Sequence, residues 1–165
     1  MTRPPFAPPT AEEIATVTRQ LGRPARDVVG IAARCACGAP TVVSTSPRLS
    51  DGTPFPTFYY LTHPAATAAV STLEAEGRMP ELAALLVDEV AVGYRAAHDQ
   101  YIADREGVAV VEELEGISAG GMPDRVKCLH ALVGHALAAG PGVNPIGDLA
   151  LQEAAWSPLV CECTP

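Results

Sequence analysis

The stretch DVVGIAARCACGAPTVVSTS, residues 27–46, decides the fold. Two runs in it, DVVGIAAR (27–34) and TVVSTS (41–46), are rich in the β-branched residues that suit a pleated, half-buried surface. Between them CACGAP (35–40) carries Gly and Pro and reads as a turn. Further on, TFYYL (57–61) is a third β-compatible run and holds much of the aromatic content. The connecting segment SPRLSDGTPFP (46–56) is a loop with Asp51-Gly52 as its turn signal. The expectation is a small antiparallel meander of three strands over about residues 27–61.

Helical signals lie on both sides of this sheet. Thr10 followed three residues later by Glu13 is a capping-box pattern. It opens a helix from Ala11 to Leu21, with Ile14, Val17 and Leu21 on one face and Gly22 as the stop. Ahead of it, the proline-rich residues 1–10 (MTRPPFAPPT) are expected to form a disordered arm. After the sheet, Pro64 suits a first helical position, and that helix runs to about Glu76 before Gly77. Another begins near Pro80. A longer one covers about Asp88 to Arg105, with Val90, Tyr94, Ala97 and Tyr101 at helical spacing. Beyond a loop at 118–123, a further helix is expected from Asp124 to about Ala139, then a short one to about Ala155. The fold class is therefore α+β. A single domain over 11–155 packs its sheet against four to five helices, and residues 156–165 form a tail containing Cys-x-Cys.

Composition bounds the function. Hydrophobic residues make up 48% of the 165-residue chain but aromatics only 5%. A core built from Ala, Val and Leu favours closely packed helices over a large barrel. The net charge of −8 argues against non-specific binding to nucleic acid or to anionic membranes. No run approaches the roughly 18 apolar residues of a membrane span, and no apolar stretch follows a basic start. The expected location is the cytoplasm, where cysteines stay reduced. There, five cysteines read as metal ligands or free thiols rather than disulfides.

Cys35-x-Cys37-Gly38 on a turn resembles half of a metal knuckle, because thiolates near a turn can point the same way. Cys161-x-Cys163 repeats the spacing, so the two pairs would complete a four-thiolate site if the tail folds back. Cys128 is a fifth candidate ligand. Thiolate-rich sites suit zinc or an iron–sulfur cluster. Free thiols or a redox dithiol at Cys35 and Cys37, a buried thiol at Cys128 and a disordered tail are the plainer alternatives. On a helix begun at Asp124, Cys128 and His135 share a face. They would be about 10.5 Å apart along its axis, too far to share an ion. His130 falls on another flank and is no easy chelate partner for Cys128. His63 reads as a helix-start residue and His98 as an exposed helix position.

The segment GGMPDRVK (120–127) places two glycines, then Arg125 and Lys127, at an expected helix start. Free amides and the helix dipole there would attract an anion. The spacing is not that of a P-loop, and Asp124 as a plain cap is the simpler account. Arg48, Arg125 and Lys127 are the candidate contacts for an anionic small molecule, with His130, Arg125 and Lys127 as the candidate catalytic groups.

Four strings carry a family resemblance: RCxCG from Arg34, TxPRLxDGTPFPTxYYLT from Thr45, GGMPDRVKCLH from Gly120 and GPGVNPxGD from Gly140. They resemble the mainly actinobacterial family called domain of unknown function 501, over about residues 27–155. The resemblance implies no established activity. It implies gene neighbours for enolase, a septum-formation protein and an exopolyphosphatase. Its strings include Cys35, Cys37 and Cys128, which tilts the expected ligand set toward these three with one tail cysteine. Two readings compete. One is a metal- or iron–sulfur-binding protein with an anionic small-molecule site. The other is a non-catalytic interaction module with a structural zinc and a protein partner, linked to cell division. An enzyme acting on phosphate compounds, or a binder of them, is a third.

Overall fold

The computed structural model describes residues 3, 4 and 6–163. Its elements follow in the order α1 (Ala11–Leu21), β1 (Val28–Arg34), β2 (Pro40–Thr45), β3 (Tyr59–Leu61), α2 (Pro64–Ala75), α3 (Arg78–Ala83), α4 (Asp88–Glu106), a 3-10 turn (Glu112–Leu114), α5 (Leu129–Ala139) and α6 (Pro145–Glu153). The α+β class and the three-stranded antiparallel sheet agree with the sequence reading.

Local chemistry accounts for most boundaries. Thr10 Oγ1 accepts from the Glu13 amide at 3.2 Å while a Glu13 carboxylate oxygen accepts from the Thr10 amide at 2.8 Å. That is the reciprocal capping box, and Gly22 ends the helix at φ 67°. In the sheet, β2 is the middle strand, with Val43 opposite Ile31 on one side and Tyr60 on the other. All six of its residues are buried. Pro40 stands first in the strand, where a missing N–H costs the ladder least.

One helix determines how the layers meet. Nine of the eleven residues of α5 are buried. Gly134 lets it approach β3 closely, since a Cβ there would sit 3.2 Å from the Tyr59 carbonyl oxygen. The few aromatics gather at this contact. His135 stacks on Tyr59 with ring centroids 5.7 Å apart, and Tyr101 meets that histidine edge-on at 5.1 Å. Tyr101 Oη accepts from the Phe58 and Tyr59 amides at 2.7 and 3.1 Å, and Tyr59 Oη donates to Asp104 at 2.8 Å. Asn144 Oδ1 caps α6 by accepting from the Gly147 amide. Its amide nitrogen lies 3.1 Å from His135 Nδ1. Burial pushes the His135 pKa down to about 4.

Several expectations are corrected. The helix expected from Asp124 begins at Leu129. The preceding segment closes on itself instead, with the Arg125 amide donating to the Gly121 carbonyl and the Lys127 amide to the Gly120 carbonyl. Gly121 at φ 97° permits this, because a Cβ there would lie 2.6 Å from the Arg125 oxygen. His98 is buried rather than exposed, its Nδ1 2.8 Å from Ser118 Oγ. In the proline-rich N-terminal segment, Phe6 packs edge-on against Tyr59, and Arg3 pairs with Asp104. Among the described residues no helix is long and apolar enough to cross a membrane.

Two outcomes follow for the aromatic core. Tyr101→Phe leaves the buried Tyr59 amide without its acceptor and the Phe58 amide with only the Pro56 carbonyl, and should lower the unfolding free energy by about 1–3 kcal/mol in urea titrations. For His135, the unfolded chain takes up a proton below its ordinary pKa of about 6.5, whereas the folded chain does so only near 4. The stability from keeping this ring neutral is therefore complete above about pH 6.5 and is lost as pH falls toward 4, by roughly 3 kcal/mol. Urea titrations at pH 7 and pH 4.5 should show that loss in the wild type and a smaller one in His135→Gln.

Candidate metal centre

The β1–β2 turn is built to present sulfur. The Cys35 amide donates to the Ala39 carbonyl and the Gly38 amide to the Cys35 carbonyl, both at 2.8 Å, which fixes Cys35 and Cys37 on a tight bend. The C-terminal segment folds back onto this bend. Trp156 is buried and anchors it, and the Ala36 amide donates to the Pro158 carbonyl at 3.0 Å. Cys161 and Cys163 arrive beside the turn as a result. The Sγ atoms of Cys35, Cys37, Cys161 and Cys163 all lie within 4.8 Å of one another. Cys37 Sγ and Cys163 Sγ lie 3.5 Å apart.

The spacing can be compared with what an ion needs. A tetrahedral ion with 2.3 Å bonds to sulfur sets its ligands about 3.8 Å apart. Four sulfurs already within 4.8 Å need only small side-chain adjustments to reach that figure. The set mixes buried and exposed members: Cys35 is buried, Cys163 half-buried, and Cys37 and Cys161 exposed. The Ala39 amide, then the Cys163 and Cys161 sulfurs, hold the Cys37 thiol down at about 7. Burial, followed by the Cys37 sulfur, pushes the Cys163 thiol up.

His63 reaches this group from the far side. It caps α2, with Nδ1 accepting from the Ala66 amide at 3.4 Å. That leaves the ring proton on Nε2, which lies 3.2 Å from Cys163 Sγ and donates to it. The sequence shows the cap in His63-Pro64. It shows nothing of the sulfur contact, which spans a hundred residues of chain.

Cys128 lies elsewhere, so the ligand set tilted toward Cys35, Cys37, Cys128 and one tail cysteine is not the one the fold assembles. Cys128 instead has Glu74 and His130 as neighbours, the three offering ligand atoms within 4.8 Å of one another. The flank argument against Cys128 and His130 fails because Cys128 is not helical. It is the extended residue before α5, at φ −147° and ψ 106°. Glu74 was not a sequence candidate, since it sits 54 residues before Cys128 on a different helix. Its carboxylate accepts from the Leu129 amide at 2.8 Å, so the N-terminus of α5 already holds an anion from within the chain. Cys128, followed by Glu74, raises the His130 pKa to about 9, and His130 in turn lowers that of Cys128.

The basic candidates do not converge. Arg48 is exposed, pairs with Glu113 and donates to the Gly52 carbonyl at 2.9 Å. Arg125 and Lys127 are exposed in the loop before α5. None of the three lines the cavity of about 840 Å³ that opens beside Cys128 and His130. That cavity is walled by apolar groups, among them Tyr60, Leu61, Pro64 and Ala68.

Residues 31–152 match a family model described as "Protein of unknown function (DUF501)". No curated protein and no solved structure matches the chain. The matched span contains Cys35, Cys37, Glu74, Cys128 and His130 and ends before Cys161 and Cys163.

Proposed function

This chain belongs to the DUF501 family, whose description names no activity, and we propose from the site itself that it is a zinc protein in which a tetrathiolate ion staples the C-terminal tail to the β1–β2 turn. The observation that carries this is the meeting of four sulfurs from two distant segments within 4.8 Å. Cys35, Cys37, Cys161 and Cys163 would hold the ion. Four thiolates leave no position open, which suits a structural role over a catalytic one. A single ion is favoured over a cluster because a cluster spreads its thiolates over separate irons, and these sulfurs sit near the spacing of one shared ion. His63 supports the site as a donor to Cys163, the kind of outer contact that orients a ligand. The site needs its thiols reduced, which suits a reducing compartment such as the cytoplasm.

The ion would supply folding energy, because past Trp156 the tail is tied by the Ala36–Pro158 hydrogen bond and the His63–Cys163 contact while Leu159 and Val160 stay exposed. Protein purified without chelators should contain zinc, measured by plasma emission, and Cys37→Ser and Cys163→Ser should each lose one equivalent. Each variant should also melt roughly 5–15 °C lower. Freely titratable thiols with no bound metal in the wild type would defeat the reading. So would a brown protein carrying iron and sulfide.

A further inference from the structure

The second cluster, on the opposite side of the β3–α2 junction, has a different character. Its members are chemically mixed: a carboxylate on α2, a thiol just before α5 and an imidazole in the first turn of α5. Each is about half-buried, so none is a free surface group. Two of the three are also held in place from outside. Ser71 Oγ lies 3.1 Å from His130 Nε2 and can accept its proton, so Nδ1 is the nitrogen that would give up its proton to bind an ion. The Leu129 amide holds the Glu74 carboxylate. His130 Nδ1 and Glu74 Oε1 stand 3.2 Å apart. An ion bound at about 2.1 Å to nitrogen and oxygen in tetrahedral geometry sets those atoms about 3.4 Å apart.

We propose that Glu74, Cys128 and His130 form a second, open zinc site whose fourth position faces the apolar cavity. Three protein ligands of this mixed kind, with an outer donor or acceptor on the histidine, match the pattern of zinc sites that keep one place for water or substrate. Cys128 and His130 both line the cavity of about 840 Å³, so the open position points into it. Its walls are mostly apolar, and Arg48, Arg125 and Lys127 stay outside. The ligand class is therefore a largely apolar small molecule with one oxygen donor, such as a carbonyl or hydroxyl group, for the ion. An anionic ligand is disfavoured because two of the site's own ligands already carry negative charge.

Zinc stoichiometry of the full chain tests this, together with protection of Cys128 from iodoacetamide. The wild type should bind two equivalents. Cys128→Ser and His130→Ala should each bind one, with unchanged far-ultraviolet circular dichroism. Zinc should slow alkylation of Cys128, located by mass spectrometry, by about tenfold or more, since the metal-bound thiolate is shielded. With cobalt in place of zinc, octanamide, an apolar chain with a neutral carbonyl head, should shift the visible spectrum of the wild type and leave that of Cys128→Ser unchanged. A wild type that binds one equivalent, lost in Cys37→Ser and kept in Cys128→Ser, would overturn the proposal. Alkylation of Cys128 that ignores zinc would overturn it as well. One equivalent lost in Cys128→Ser but kept in Cys37→Ser would uphold this site and remove the tetrathiolate one.

Discussion

Helix α5 has almost no surface of its own. Nine of its eleven residues are buried, so it must be enclosed on nearly every side. An alanine-rich helix can meet that demand only by close approach, because its side chains are too short to bridge a gap. Gly134 lies against the β3 backbone, and the aromatic rings of Tyr59 and Tyr101 fill the space around His135. The low aromatic content is thus concentrated where the helix and the sheet meet. The acceptor role of Tyr101 toward two amides then fixes α4 to the entrance of β3.

The same constraint organises the two clusters of ligating side chains. Because α5 is fixed against the sheet, its first residue falls beside Glu74 on α2, and Cys128 and His130 come with it. The junction between β3 and α2 separates this group from the four cysteines. Thr62 and Pro64 face the cavity on one side, while His63 between them reaches Cys163 on the other. A residue that starts a helix therefore also stands behind a candidate ligand, and rigid backbone lies between the two centres.

How much could be read from the residues follows from the range of the interactions involved. The capping box at Thr10 and Glu13, the hairpin around Cys35 and the start at Pro64 are local, and each announces itself within a few residues. The start of α5 is not local. Asp124, Arg125 and Lys127 resemble a helix opening, but loop bonds to Gly120 and Gly121 claim their backbone first. The helix N-terminus is then served by Glu74 from another helix. His98 reads as exposed on its own helix, and Ser118 covers it from a loop 20 residues away. The meeting of Cys35 and Cys37 with the tail pair depends on Trp156 turning the chain back, which no spacing rule encodes. Glu74 left no signal at all, since its partners lie more than fifty residues further on.

Trp156 has a consequence beyond anchoring. It is the only tryptophan in the chain, it is buried, and its ring lies 5.3 Å from that of His63. His63 in turn touches Cys163. Excited indole is sensitive to nearby imidazole and to solvent, so its emission reports directly on how the tail is seated. The protein carries an intrinsic optical gauge of its own closure, readable without a label.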